Sequence, residues 1–267
     1  MLTCSALTVS VAGRELVRDL SFNLAPGDVV CVLGPNGVGK TLTLHTLAGL
    51  RPPGKGSIRL GGDDLTKLRR RQIAQRLGLL LQDDAETFPA TVLSTALMGR
   101  HPHLAGAATE SADDFARARA ALLAMGLRNF GDRLVSTLSG GERRRLGLAR
   151  LLTQDPSVLL LDEPATHLDP RHQIAVLEYL HALAQGGRGV IMTLHDPSLA
   201  TRFASHSLLL FPDGTWLLDT TRAALTPVNL ARLFDTPYDE YRNGRGDTAL
   251  LPGRLQEPAL DDPLLRG

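Results

Sequence analysis

Hydrophobic positions along this chain fall into distinct patterns, and each pattern predicts a different element. Over residues 7–24 apolar and polar side chains alternate around a turn at Ala12-Gly13-Arg14, the period-two signature of short strands. Four runs are instead almost continuously apolar: Val29-Val30-Cys31-Val32-Leu33, Leu77-Gly78-Leu79-Leu80-Leu81, Val158-Leu159-Leu160-Leu161 and Val190-Ile191-Met192-Thr193-Leu194. Such strands are covered on both faces. Separated by helical stretches, they predict a parallel sheet between two layers. Leu42, Leu44, Leu47 and Leu50 give one such stretch, stopped by Pro52-Pro53-Gly54; a basic one follows over 67–76, another after Ser139 and another over 173–185. Residues 56–60 form a β-like piece ending in the turn Gly61-Gly62-Asp63-Asp64, and 83–137 turn helical, with Ala116, Ala120, Leu123 and Leu127 predicting one apolar face.

Composition narrows the function. At 267 residues the chain can bury a substantial core without metals or disulfides. A net charge of +1 gives no field that would draw nucleic acid or an anionic surface. Of the two cysteines, Cys4 and Cys31, the second lies within the apolar run 29–33 and reads as a small buried side chain; a reducing compartment follows. No secretory signal is expected at the N-terminus, and no segment approaches the roughly 18 apolar residues of a spanning helix.

Chemistry concentrates at the strand ends. Gly34-Pro35-Asn36-Gly37-Val38-Gly39-Lys40-Thr41 fits the P-loop pattern G-x-x-x-x-G-K-[ST], after an apolar strand and at the opening of a helix. Glycines at 34, 37 and 39 let backbone N–H groups turn toward phosphates, the helix N-terminus adds its positive end, Lys40 reaches the β- and γ-phosphates, and Thr41 is a Mg²⁺ ligand. A P-loop lysine needs a magnesium-holding carboxylate at a neighbouring strand end, and Asp162 follows residues 158–161. Glu163 comes next, placed to polarise an attacking water as a general base. Alone, that acidic pair would also suit a solvent-facing strand end; beside a P-loop it reads as catalytic. Ser139-Gly140-Gly141-Glu142 forms a capping box. Its two glycines add nothing to a cap, but they let backbone amides and the Ser139 hydroxyl approach a phosphate.

The order of P-loop, Gln82, Leu138-Ser139-Gly140-Gly141-Glu142, Leu161-Asp162-Glu163-Pro164, His167-Leu168-Asp169 and His195 resembles the ATPase subunits of ABC transporters over nearly the whole chain. The resemblance implies an α/β P-loop NTPase core with a mostly parallel sheet, an antiparallel β subdomain and an inserted helical subdomain. A single ABC ATPase domain would span 1–242: core and β subdomain from 1–82 and 138–242, helical subdomain from 83–137. Residues 243–267 would form a poorly ordered tail. ATP and Mg²⁺ are the implied cofactors. Leu42 joins the loop on the nucleotide, Gln82 contacts Mg²⁺ or the attacking water, His195 holds the γ-phosphate and positions Glu163, and Asp169 communicates across a dimer. In this family the phosphate met by Ser139, Gly140 and Gly141 belongs to ATP on the opposite subunit, so a second copy of the chain is implied, head to tail. Two positions depart from the family pattern. Val11 aligns where an aromatic residue usually stacks on adenine, so aliphatic packing replaces stacking there; Glu142 stands where glutamine is commoner.

Residues 91–104, with Gly99-Arg100-His101-Pro102-His103, resemble the stretch that follows the Q-loop in ATPases of iron-siderophore, haem and cobalamin importers. That implies integral membrane permease subunits docking near Gln82 and the helical subdomain, a substrate-binding protein indirectly, and a peripheral location on the cytoplasmic face of the inner (cell) membrane. His101 and His103 read as surface loop histidines rather than metal ligands. The competing reading is a soluble ABC ATPase that regulates a protein or nucleic-acid complex. Against its nucleic-acid form stand the near-neutral charge and the lack of a basic helix or aromatic-interleaved patch.

Overall fold

The computed structural model of the chain describes residues 1–82, 89–104, 109–242, 244 and 248–254. Strand β1 (Leu2–Val11) and strand β2 (Arg14–Leu24) form the expected hairpin; β3 (Val29–Leu33) leads through the glycine loop into α1 (Lys40–Leu47). Then come β4 (Lys55–Leu60), β5 (Asp63–Asp64), α2 (Arg70–Ala74) and β6 (Leu77–Leu80). Helix α3 (Val92–Leu97), a 3-10 turn over Met98–His103 and α4 (Ala112–Ala124) precede the long α5 (Gly140–Gln154). The chain continues with β7 (Val158–Leu161), α6 (Pro170–Gln185), β8 (Gly189–Thr193), α7 (Pro197–Phe203), β9 (His206–Leu210) and β10 (Trp216–Thr220). It closes with α8 (Thr221–Ala224), α9 (Pro227–Phe234), β11 (Tyr238–Arg242) and β12 (Thr248–Pro252).

The four apolar runs become neighbours in a six-stranded sheet of order β10-β9-β3-β8-β7-β6, parallel throughout except for β10. Every residue of β3, β7 and β8 is buried, because their side chains alternate into two separate cores. Val29, Cys31, Leu33, Leu159, Leu161, Val190 and Met192 face the helical side. Val30, Val32, Val158, Leu160 and Ile191 face α1 and the antiparallel sheet β2-β1-β4-β5. Burying each such side chain contributes about 1.5–3 kcal/mol, and a one-residue slip would exchange the two cores, so register is firmly set. The parallel strands therefore end at one fixed edge, where ligands of open α/β sheets bind. Cys31 is buried as expected, Cys4 is buried too, and burial pushes the Cys31 thiol well above its ordinary pKa.

Several local expectations change. The buried face of α4 is Asp114, Ala118, Ala121 and Leu122, whereas Ala116, Ala120 and Leu123 point to solvent; only Leu127, beyond the helix, is buried as expected. An alanine-rich helix presents similar apolar stripes on several sides; here Ala118, Ala121 and Leu122 pack into the core, and beside them Asp114 turns inward to accept from Arg100 Nε at 2.7 Å. The basic stretch 67–76 is not one helix but a 3-10 turn over Leu65–Lys67 followed by the short α2. Beyond residue 242, β12 pairs with β11, and Leu250 is buried with its backbone N–H donating to Ser198 Oγ at 3.0 Å. Residues 255–267 of the expected tail, and 83–88 and 105–108 of the helical insert, lie outside the described residues.

The Gly-Arg-x-Pro-His stretch is a packing junction. A Cβ on Gly99 would come within 2.3 Å of the Arg150 carbonyl, Arg100 donates to the Thr153 carbonyl at 3.1 Å, and His103 Nε2 lies 2.8 Å from the Gln154 carbonyl. The Pro102 carbonyl accepts from Arg71 and Gln75. His101 is exposed, and His103 is engaged with backbone.

Candidate nucleotide-binding site

Leaving β3, the backbone passes so close to β9 that a Cβ on Gly34 would lie 2.7 Å from the Leu210 carbonyl oxygen and 2.9 Å from Val38 Cγ1. Only glycine fits. Gly39, capping α1 at φ 110°, holds the left-handed conformation that delivers Lys40 and Thr41 into the first helical turn. Lys40 is 7% exposed, and its Nζ donates to the Gly34 and Pro35 carbonyls at 2.7 and 3.2 Å, which sets the ammonium inside the loop. Burial pulls its pKa below the ordinary lysine value, while Glu163 and Asp162 oppose that shift.

Asp162 stands at the end of β7, 1% exposed, and is held from both sides. Thr41 Oγ1 donates to its Oδ2 at 2.5 Å and Thr193 Oγ1, at the end of β8, to its Oδ1 at 2.7 Å. The same Thr193 oxygen accepts from the Glu163 N–H at 2.7 Å. Glu163 is 8% exposed and left-handed at φ 52°, a conformation that costs a non-glycine residue about 1–3 kcal/mol and is kept where surroundings enforce it. His195 Nε2 lies 2.6 Å from Glu163 Oε1, and Thr166 Oγ1 donates to Oε2 at 3.1 Å, so both carboxylate oxygens are oriented.

A cavity of about 390 Å³ opens here, lined by Asn36, Gly37, Gly39, Lys40, Thr41, Leu42, Gln82, Glu163 and His195. Four separate stretches of sequence thus converge on one recess. Other expected positions lie outside its lining. Ser139 caps α5, with its N–H donating to Glu142 Oε2 at 2.7 Å and its Oγ accepting from the Glu142 N–H at 3.2 Å. A Cβ on Gly140 would meet nothing, so that helix start is open. Asp169 caps α6 through the His172 N–H at 3.0 Å, with the His172 imidazole 2.7 Å from its other oxygen; these two contacts hold its carboxyl below the usual range. Val11, 38% exposed, sits at the hairpin tip, and the hairpin meets the loop through Leu16, which packs on Gly39. Sequence reasoning passed over Thr193 and Thr166. Thr193 had a readable signal: a lone hydroxyl in a buried strand must find a partner.

Comparison with known proteins agrees with this geometry. The model of the ABC transporter family matches residues 17–166. The hemin import ATP-binding protein HmuV of Deinococcus radiodurans is 37% identical over 264 residues, covering 97% of this chain and 94% of the relative. The cobalamin import ATP-binding protein BtuD of Halobacterium salinarum is 36% identical over 235 residues; the match covers 88% of this chain but 58% of that longer relative. Among solved structures, a chain from an inward-facing transporter described as of the metal-chelate type superposes with a TM-score of 0.83 at 30% identity, covering 95% of this chain and 97% of that one. With the phosphate loop, the acidic strand end and the histidine gathered around one recess, the chain belongs to the ABC transporter family, as its ATPase domain.

Proposed function

We propose that this chain hydrolyses ATP as a head-to-tail dimer and so energises a membrane permease that imports a metal chelate such as haem, an iron-siderophore or cobalamin. The observation that carries the hydrolytic half is the pairing of Glu163 with His195 at 2.6 Å on the wall of the cavity that also holds Lys40. Loop amides and the Lys40 ammonium take the β- and γ-phosphates, and an attacking water sits against Glu163. As its oxygen bonds to the γ-phosphorus, Glu163 accepts its proton, the bond to the β–γ bridging oxygen breaks, and ADP leaves with that oxygen. His195 orients the carboxylate and stands near the transferred phosphoryl group. The facing oxygens of Thr41 and Asp162 are hard donors of the kind Mg²⁺ takes, and Gln82, which lines the same cavity, could offer a further one. Mg²⁺ held there would neutralise developing phosphate charge.

The start of α5 at Ser139, Gly140 and Gly141, open at Gly140, would meet the nucleotide of the second copy, with Asp169 beside that interface. Adenine would extend toward Val11 and find aliphatic contact. Among the described residues no helix is long and apolar enough to cross a membrane. Membrane association would come through permease subunits near Gln82 and the helical segment, on the cytoplasmic face. The importer reading is supported by its relatives, hemin and cobalamin import ATP-binding proteins. Its test is purification from native membranes followed by reconstitution. A multi-spanning protein should co-purify, and turnover should rise when haem, ferric siderophore or cobalamin is supplied with its binding protein. Recovery only with ribosomes or DNA would overturn the transporter reading.

A further inference from the structure

Three consecutive arginines follow the cap of α5, and the middle one behaves unlike a surface residue. Arg143 is exposed and Arg145 donates to the Met125 carbonyl at 2.8 Å, but Arg144 reaches across to the main sheet. One arm of its guanidinium donates to the carbonyls of Leu81 and of Gln82, the latter at 3.2 Å. The other arm donates to the carbonyls of Asp162 and of Glu163, the latter at 2.9 Å.

These four acceptors are the first carbonyls past the ends of β6 and β7, which are adjacent and parallel with Leu80 opposite Leu161. The four N–H groups on the two arms of a planar guanidinium match these four carbonyls, whereas an ammonium on a shorter stem has only three. The strand carrying Gln82 and the strand carrying Asp162 and Glu163 are thus fastened to each other beyond the point where their ladder stops. Both are fastened to the second turn of the helix whose first residues are Gly140 and Gly141.

We propose that Arg144 is a positioning residue for hydrolysis: it holds Gln82 and Glu163 in one frame and makes that frame follow the N-terminal end of α5. The consequence rests on the ATPase reading above. When Gly140 and Gly141 of one subunit engage the nucleotide of the other, the pull on α5 is delivered through one side chain to the carbonyls that carry this subunit's own general base. Hydrolysis in the two sites becomes linked through Arg144.

The test compares wild type, Arg144→Lys and Arg144→Ala in the full-length chain. Both variants should keep the wild-type affinity for a fluorescent ATP analogue, because neither touches the phosphate loop. Their kcat should fall about tenfold or more, the scale of small misplacements in an active site, with KM unchanged and the Hill coefficient for ATP falling toward one. Lysine should not rescue, since three N–H groups on a shorter stem cannot serve all four carbonyls. Hydrogen exchange gives a readout independent of turnover: peptides spanning 81–82 and 162–166 should exchange faster together in Arg144→Ala, with those spanning 34–41 unchanged. Wild-type turnover in Arg144→Lys, equal loss of nucleotide affinity and kcat, or unchanged exchange at either strand end would overturn the proposal. Failure of the ATPase reading looks different: wild type itself would lack Glu163-dependent turnover, and the exchange result would still decide whether Arg144 fastens the two strands.

Discussion

Thr193→Val probes how the acidic strand end is held. The two side chains are nearly isosteric, so the cavity term is small and the loss is that of one hydroxyl with two partners. Its donation to Asp162 Oδ1 at 2.7 Å is a hydrogen bond to a carboxylate, worth about 1.5–3 kcal/mol net. Its acceptance from the Glu163 N–H at 2.7 Å leaves a buried donor unpaired when removed, a cost of about 1–3 kcal/mol. Thr193 is fully buried and water cannot substitute easily, so about 4 kcal/mol of destabilisation is expected. In a domain of this size that lowers the melting temperature by roughly 8–16 °C. Turnover should fall on the order of tenfold to a hundredfold, because Asp162 and Glu163 lose their common anchor. Thr193→Ser keeps the hydroxyl and loses a methyl, about 1 kcal/mol, so it should sit near wild type in both measurements. Scanning calorimetry and a phosphate-release assay on the three proteins decide the matter. A valine variant that matches wild type, or a serine variant as damaging as valine, would show that the Thr193 hydroxyl does not hold the two acids.

Other sites give further expectations. Asp114→Asn leaves Arg100 buried beside a neutral partner and should cost about 3–5 kcal/mol in urea unfolding at neutral pH. The Ser111 backbone N–H and then Arg100 hold the Asp114 pKa down at about 2 against an ordinary 3.8, so its contribution is complete above the ordinary value and disappears as pH falls through the lower one. The gap between wild type and variant should therefore narrow in acid, and a gap that widens would contradict the assignment. Gly34→Ala forces a methyl against the Leu210 backbone and should abolish binding of a fluorescent ATP analogue; retained affinity would show that the loop is not confined as described.

Much of the architecture was legible because burial on both faces writes itself as unbroken apolar runs. Residues 158–161 and 190–194 gave strands within a residue or two of their ends, and Glu163 and His195 after them lie on the cavity wall. What the pattern could not settle were choices made in three dimensions. The inward face of α4 carries Asp114, whose partner Arg100 stands fourteen positions earlier, alongside core contacts of Ala118, Ala121 and Leu122. Three successive arginines look alike in sequence, and only the placement of β6 and β7 singles out Arg144. The pairing of β12 with β11 was hidden because the stretch beyond 242 has the composition of a tail, with Leu250 its single fully buried anchor among the described residues.

The most direct measurement of the central claim is ATP turnover in Glu163→Gln beside wild type, with nucleotide binding and ATP-dependent dimerisation followed in the same preparations. Glutamine keeps the size of the side chain but cannot accept the proton of the attacking water. Hydrolysis should fall to near background while ATP still binds and still brings two copies together. A Glu163→Gln protein that hydrolyses ATP at the wild-type rate would contradict the account.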